Sequence, residues 1–486
     1  MGERIVRREL SPLTHAEADW SGITAVVAGL GVAGYAAATA LLDVGASVTV
    51  IDPADSPVLR DRAEIVEVLG GTVRLECSDG PDPDTDVFVV SPGIRPGADL
   101  IQDALSAGIP IWGELELAWR MRSRHSPAPW LCVTGTNGKT TATLMLASIL
   151  HADGRRVAAA GNVGESLIDA VRDLSLDVIA VEVSATQMPF VESVSPFAAA
   201  CLNLAPDHLD FFDNMDEYRS NKALVYRNTQ VACIYNVDDV STEAMVRDAD
   251  VVEGCRAVGF TLGVPSLSML GIVEDVLVDR AFIDDRATHA QELATIADVP
   301  VQTPAYVSNA LAAAALARAF GVSAGSVGAG LRNFQPAPHR MTPLGSVGDI
   351  RFINDSKATN AHAAATSLGA CDSVVWIAGG QAKGQSFEDL VSAVKSRLTG
   401  VVLIGVDRAE IARALRAHAP DVPVVDIEQT GPQAMEQAVR MAWKLAGQGD
   451  TVLLAPACAS WDMYMNYGDR GDQFARAVAK VISEAS

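Results

Sequence analysis

Twice in this chain a run of apolar, β-branched residues breaks at a glycine-bearing turn and continues as an alanine-rich helical stretch. The first instance is GITAVVAGLGVAGYAAATALLDVGASVTVID from residue 22, the second APWLCVTGTNGKTTATLMLASILHADG from residue 128. A strand that feeds a helix through a short loop returns beside itself, which builds a parallel sheet covered by helices. The runs DVFVVSPG (86–93), IPIWGE (109–114), LDVIAVEVS, PFAAACLNLA, SVVWIAGG, GVVLIGVD and DTVLLAP extend the same pattern, so the fold class is α/β throughout. At 486 residues the chain exceeds what one core organises, and about 150 residues per domain predicts three domains. A linker-like RSRHSPAP before Trp130 and the proline-flanked NFQPAPHRM place them at 1–120, 121–340 and 341–486. The stretch 230–300 reads as less regular, and a helix over 308–321 closes the second domain.

Charge narrows the partners. Thirty-seven Lys plus Arg against sixty Asp plus Glu give a formal charge of -23, a field that repels nucleic acid and anionic membranes. The N-terminal MGERIVRREL has no apolar core of a signal peptide, and no run reaches the length of a membrane span. A cytoplasmic protein without membrane insertion is expected. Seven cysteines without a CxxC pair fit reduced thiols, most of them in the core. Only seven of the basic residues are lysines, and Lys139, Lys222, Lys357 and Lys383 fall inside motifs.

The run Gly29-Leu30-Gly31-Val32-Ala33-Gly34 lies between strand and helix and precedes Asp52 at the end of the next strand, the context of a dinucleotide fingerprint. It reads as a diphosphate cradle or as a tight turn without ligand, and which nucleotide it holds stays open. Gly135-Thr136-Asn137-Gly138-Lys139-Thr140-Thr141 supplies the amides, lysine and hydroxyl of a triphosphate loop, although Val133 stands where the longer motif has its first glycine. Glu182, ending a strand, suits a magnesium ligand. A lone histidine such as His208 is more often a structural hydrogen-bonding residue than a ligand, and Asp207 and Asp210 also read as helix caps, so the context must decide. In the third domain Asn354–Asn360, Gly379–Gly384 and Ala455–Asp462 each follow a strand, so the three loops could border one crevice. Trp461, Tyr464 and Tyr467 read equally as packing.

Taken in order along nearly the whole chain, GTNGKTT, Asp207-His208, the Lys222 motif, His339-Arg340, DSKATN and APACASWD resemble the Mur ligase family, ATP-dependent enzymes that join amino acids to a UDP-linked muramoyl peptide. Within it, GLGVAG with SPGI, DSKATN, and SWD followed by Asn466-Tyr467 and Arg470-Gly471 resemble the branch that adds D-glutamate to UDP-N-acetylmuramoyl-L-alanine; no Asp-Asn-Pro-Arg run of the diamino-acid-adding branch is present.

The resemblance implies a Rossmann-like UDP-binding domain, a central P-loop-type ATPase domain and a C-terminal Rossmann-like domain that binds the amino acid. Val32, Ala33, Asp52, Ser91, Asn162, Ser184, Gln187 and His208 would border the UDP substrate, although Pro53 and Ala54 stand where relatives can carry more polar residues. Gly135 to Thr141 would hold the phosphates of ATP, with Asn309, Arg340 and Asp355 about the nucleotide. The family's His-Asn-x-x-Asn reads Ala305-Tyr306-Val307-Ser308-Asn309 here, so two polar groups are missing; Ala185 and Thr186 replace Ser-Phe.

Two magnesium ions are implied, one on Thr140 and Glu182, the other on His208 and a carbamate formed on Lys222, with Lys139, Glu182, His208 and Lys222 as the catalytic set. Lys357, Thr359, Lys383, Ser460 and Tyr467 would frame the amino acid. The implied partners are small-molecule substrates, and a monomer is expected. Three other readings remain open: a sister ligase adding L-alanine or a diamino acid, a nicotinamide dehydrogenase, and a regulatory nucleotide-binding protein. The dehydrogenase leaves the triphosphate loop unused. The regulator leaves the third domain's polar loops unexplained.

Overall fold

Helices cover both faces of the parallel sheets, which is why VFVV, WLCVT, VIAVE and VVWIAG are buried at every position. The computed structural model describes residues 8–208, 211–429 and 432–485. The first sheet holds β1 (Thr24–Ala28), β2 (Ser47–Asp52), β3 (Thr72–Leu75), β4 (Val87–Val90) and β5 (Ile111–Gly113), all parallel, in the order β3-β2-β1-β4-β5. Strand order reverses between β1 and β4. The loops after those two strands carry Gly29–Gly34 and Ser91, where an open α/β sheet takes its ligand.

The second sheet comprises β6 (Trp130–Thr134), β7 (Val157–Gly161), β8 (Val178–Glu182), β9 (Ala198–Cys201), β10 (Ala232–Asn236), β11 (Arg256–Phe260), β12 (Met269–Val273), β13 (Val276–Asp279) and β14 (Gln291–Thr295), in the order β14-β13-β12-β11-β10-β9-β6-β8-β7. It is parallel up to β12, and β12-β13-β14 form an antiparallel edge. The less regular stretch 230–300 therefore holds five strands. Their signal is weak because they are only four or five residues long, the outer ones are half-exposed, and Gly259 and Gly271 interrupt them.

The helix expected over 308–321 runs over Pro304–Ala319, started by the Thr303 cap and a proline in its first turn. Its residues Ala310 to Ala317 are all buried, so small side chains rather than an amphipathic stripe pack it on every side.

The third sheet holds β15 (Thr342–Val347), β16 (Ile350–Asn354), β17 (Val374–Gly379), β18 (Leu398–Ile404), β19 (Val424–Asp426) and β20 (Thr451–Leu454), in the order β15-β16-β20-β17-β18-β19. Only β15 runs antiparallel to its neighbour. Packing divides the described residues into two compact units: one contains the first two sheets, through Leu204 and again over Asp216–Phe334, and the other contains Ala205–Met215 and the chain from Gln335 onward.

No helix among the described residues is long and apolar enough to cross a membrane. All seven cysteines are free thiols, five of them buried, with Cys77 and Cys255 half-buried.

Candidate functional site

In the first sheet the glycines are required by close approach. Gly29 has φ +93°, and a Cβ there would stand 2.6 Å from Ser91 Oγ, while one on Gly34 would stand 1.9 Å from the Gly29 carbonyl oxygen. Ser91 Oγ itself is buried without a hydrogen-bond partner. The helix Val32–Asp43 starts at Gly31 with no side-chain cap, and Val32 and Ala33 form its first turn, so its open N–H groups suit an anion. Asp52 is committed elsewhere: Oδ2 accepts the Leu30 N–H at 2.7 Å and Oδ1 accepts the Ala54 N–H at 2.9 Å. Its carboxylate fixes the glycine loop.

The triphosphate loop leaves β6 and enters the helix Lys139–Ala152. Gly135 and Gly138 sit at φ +154° and +85°, and a Cβ on Gly138 would meet Asn309 Oδ1 at 2.4 Å, so Asn309 lies against the loop. Lys139 Nζ donates to the carbonyls of Gly135 and Thr136, each at 2.9 Å. Thr140 is half-buried in the first helical turn and Thr141 is buried. Asn203, after β9, clamps the loop: its carbonyl accepts the Thr136 N–H, its Oδ1 accepts the Asn137 N–H, and its Nδ2 donates to the Asn137 carbonyl. The Thr136 and Tyr218 hydroxyls lie 3.0 Å apart, and Lys222 Nζ lies 4.7 Å from the centre of the Tyr218 ring. Lys222 is only 1% exposed.

Glu182 pairs in register with Val133, which brings it beside the start of that loop. Its Oε1 accepts from Asn162 Nδ2 at 2.8 Å, and its Oε2 is buried without a partner. Ser184 and Gln187 cap one turn reciprocally, and Gln187 Nε2 donates to Glu114 at 3.1 Å. Burial pushes the Glu114 carboxyl above its ordinary value, against that hydrogen bond.

The orphaned Glu182 oxygen is what a divalent cation would satisfy. Among the described residues no group of three or more His, Cys, Asp or Glu side chains could hold a metal ion, so an ion here needs further oxygens from hydroxyls, phosphates or a carbamate.

The second compact unit carries the remaining candidates. Asp207 Oδ1 accepts the His208 N–H at 2.9 Å, and its Oδ2 accepts from Asn360 Nδ2 at 3.0 Å and lies 3.9 Å from His208 Nε2. His208 holds φ +54°. Among the described residues Asp207 caps no helix, whereas Asn360 does, accepting the Ala363 N–H at the start of Ala361–Gly369. Asp210 lies outside the described residues.

The three polar loops leave the adjacent strands β16, β20 and β17, which brings them together as expected. Arg470, only 1% exposed, ties two of them, donating to Ser356 Oγ, the Ser356 carbonyl and the Cys458 carbonyl at 2.8 to 3.0 Å. Burial pushes its pKa down to about 10. Asp355 is buried, accepting the Met341 N–H at 3.1 Å and the Ser367 hydroxyl. Burial raises its pKa, opposed by those hydrogen bonds and by the charge of half-buried Arg340.

Lys357 Nζ stands 3.9 Å from the Tyr467 ring centre and Lys383 Nζ 4.4 Å from that of Trp461. Thr359 is half-buried and Ser460 buried, on the same loops. Of the aromatic cluster Tyr464 is core, whereas Trp461 and Tyr467 carry the lysines. The sequence reading gave no separate role to Asn203, Tyr218 or Arg470 and did not single out Glu114. A lone Asn or Arg has no periodic signal, and only its partners reveal it.

Three family models cover most of the chain: "Mur ligase MurD-like, N-terminal domain" over residues 23–113, "Mur ligase middle domain" over 133–317 and "Mur ligase, glutamate ligase domain" over 339–458. The UDP-N-acetylmuramoylalanine--D-glutamate ligase of Streptomyces coelicolor is 53% identical over 466 residues, 95% of this chain and 99% of that relative. The Thermobifida fusca protein of the same name is 49% identical, over 93% of this chain and 97% of its own. Among solved structures, UDP-N-acetylmuramate-alanine ligase MurC from Thermotoga maritima aligns with TM-score 0.56 at 18% identity, over 95% of this chain and 99% of that one, a likeness of fold.

Proposed function

The chain belongs to the Mur ligase family, and we propose on that premise that it adds D-glutamate to UDP-N-acetylmuramoyl-L-alanine, consuming ATP, in peptidoglycan precursor synthesis. The observation that carries the chemistry is the buried, unpartnered Glu182 oxygen one strand over from a glycine-lined triphosphate loop. A carboxylate acylates poorly. The γ-phosphoryl of ATP therefore passes to the alanine carboxylate of the UDP substrate, the amine of D-glutamate attacks that acyl phosphate, and ADP and phosphate leave.

In this reading Gly135 to Thr141 hold the phosphates, Lys139 offsets their charge, and Asn309, Arg340 and Asp355 attend the nucleotide. Thr140 and Glu182 would hold one magnesium ion, and His208 with carbamylated Lys222 a second; when bound, the metal neutralises the crowded anions. Val32, Ala33, Ser91, Asn162, Ser184, Gln187 and His208 border the UDP substrate, and Asp52 acts through the loop that it fixes. Lys357, Thr359, Lys383, Ser460 and Tyr467 frame the glutamate, whose two carboxylates need local cations in a protein of charge -23. The boundaries at 120 and 340, a monomeric state and a cytoplasmic location belong to the same reading.

Phosphate release tests it. With MgATP and UDP-N-acetylmuramoyl-L-alanine, D-glutamate should release phosphate and L-glutamate should not. Equal rates with L-alanine or a diamino acid would sink the assignment.

A further inference from the structure

We infer that Arg62 binds the diphosphate of the UDP-linked substrate, an inference that rests on reading the first sheet as the nucleotide-diphosphate site. The Leu30 peptide in the glycine loop is gripped from both sides: its N–H donates to Asp52 Oδ2 at 2.7 Å, and its carbonyl accepts from Arg62 Nη1 at 2.9 Å. Arg62 projects from the helix Pro57–Val68, and its guanidinium carbon stands 5.7 Å from the Tyr35 ring centre. Tyr35 belongs to the helix Val32–Asp43, whose first turn has no side-chain cap. The arginine is thus tethered beside open backbone N–H groups.

A guanidinium carries five N–H donors in a planar fork, and Leu30 takes one. Among the described residues Arg62 forms no ion pair, whereas Arg60, two positions earlier, is paired with Asp55.

Between β2 and the helix Pro57–Val68 no side chain offers a cation. Both Asp52 oxygens are used by backbone N–H groups, Pro53 and Ala54 have no polar side chain, and Ser56 caps its own helix. A diphosphate seated on the loop amides would find in Arg62 a side-chain cation with donors left for its oxygens.

Titration of UDP into wild type, Arg62→Ala and Arg62→Lys, together with steady-state kinetics, tests this. Arg62→Ala should weaken UDP binding and raise the KM for the UDP substrate about tenfold or more, the loss of a charge-assisted hydrogen bond, while kcat and the KM for ATP stay within about twofold. Arg62→Lys should recover part of the affinity. Added salt should narrow the gap between wild type and Arg62→Ala.

Unchanged UDP affinity in Arg62→Ala overturns the inference. So does a fall in kcat matching the rise in KM together with a lower melting temperature, which would make Arg62 a support of the loop. If wild type binds no UDP while it still binds an ATP analogue, the reading of the first sheet falls, and the inference with it.

Discussion

Asn203 and Asn137 hold each other through a reciprocal pair of hydrogen bonds, with Asn203 Oδ1 accepting the Asn137 N–H at 2.9 Å and Asn203 Nδ2 donating to the Asn137 carbonyl at 3.1 Å. The two residues are 66 apart in the chain, on loops after the adjacent strands β6 and β9. A loop rich in glycine has many conformations, and this clamp selects one before nucleotide arrives.

Asn203→Ala should therefore lower kcat/KM for ATP about thirtyfold, the value of two neutral hydrogen bonds at about 1 kcal/mol each. Asn203→Asp keeps the acceptor but sets a negative charge beside the phosphates, so it should be the worse variant. An aspartate variant as active as wild type would remove the clamp from the mechanism.

Lys222 is buried against Tyr218, which is not where a solvated lysine sits. Lys222→Ala should abolish phosphoryl transfer while leaving the fold intact, and added acetate should restore part of the activity by occupying the carbamate oxygen position. Lys444→Ala, an exposed lysine outside every motif, should change little. Wild-type turnover of Lys222→Ala at limiting magnesium would disprove the second-metal role.

Asp355 makes stability depend on pH with a definite sign. Burial raises its folded-state pKa above the unfolded value, so the folded state binds the extra proton and its contribution is lost as pH rises from the ordinary carboxylate range through the raised one. Asp355→Asn removes that titration and can still satisfy Met341 N–H and Ser367 Oγ. The melting temperature of Asp355→Asn relative to wild type should accordingly improve over the interval that begins at the ordinary carboxylate range and runs upward in pH. A difference that is constant across that interval would contradict the assignment.

Lys383 holds its ammonium over the exposed Trp461 ring from a backbone at φ +53°. Lys383→Met keeps the apolar stem and removes the charge. The KM for D-glutamate should rise about tenfold, the scale of a lost charge-assisted hydrogen bond, while stability changes by no more than about 1 kcal/mol. Equal KM values would place the glutamate carboxylates elsewhere.

The sequence alone determined the local units, because periodicity and glycine placement are properties of neighbours. Gly29 to Gly34 and Gly135 to Thr141 each read as a turn from strand to helix, and each forms one. The three polar loops of the last sheet were legible because each follows a strand-like run, although only the strand order makes β16, β20 and β17 adjacent. Tertiary structure decided how polar atoms are spent. Asp52 reads from sequence as a nucleotide contact, and folding also sets it on the Leu30 and Ala54 amides; Arg470 reads only as part of a motif, and folding makes it the tie between two loops. The five strands between 230 and 300 likewise formed where sequence showed little, since an edge strand takes its stability from the neighbour it pairs with rather than from its own four or five residues. A buried hydrogen bond joins residues the chain brings together only on folding, so its partners cannot be read from spacing.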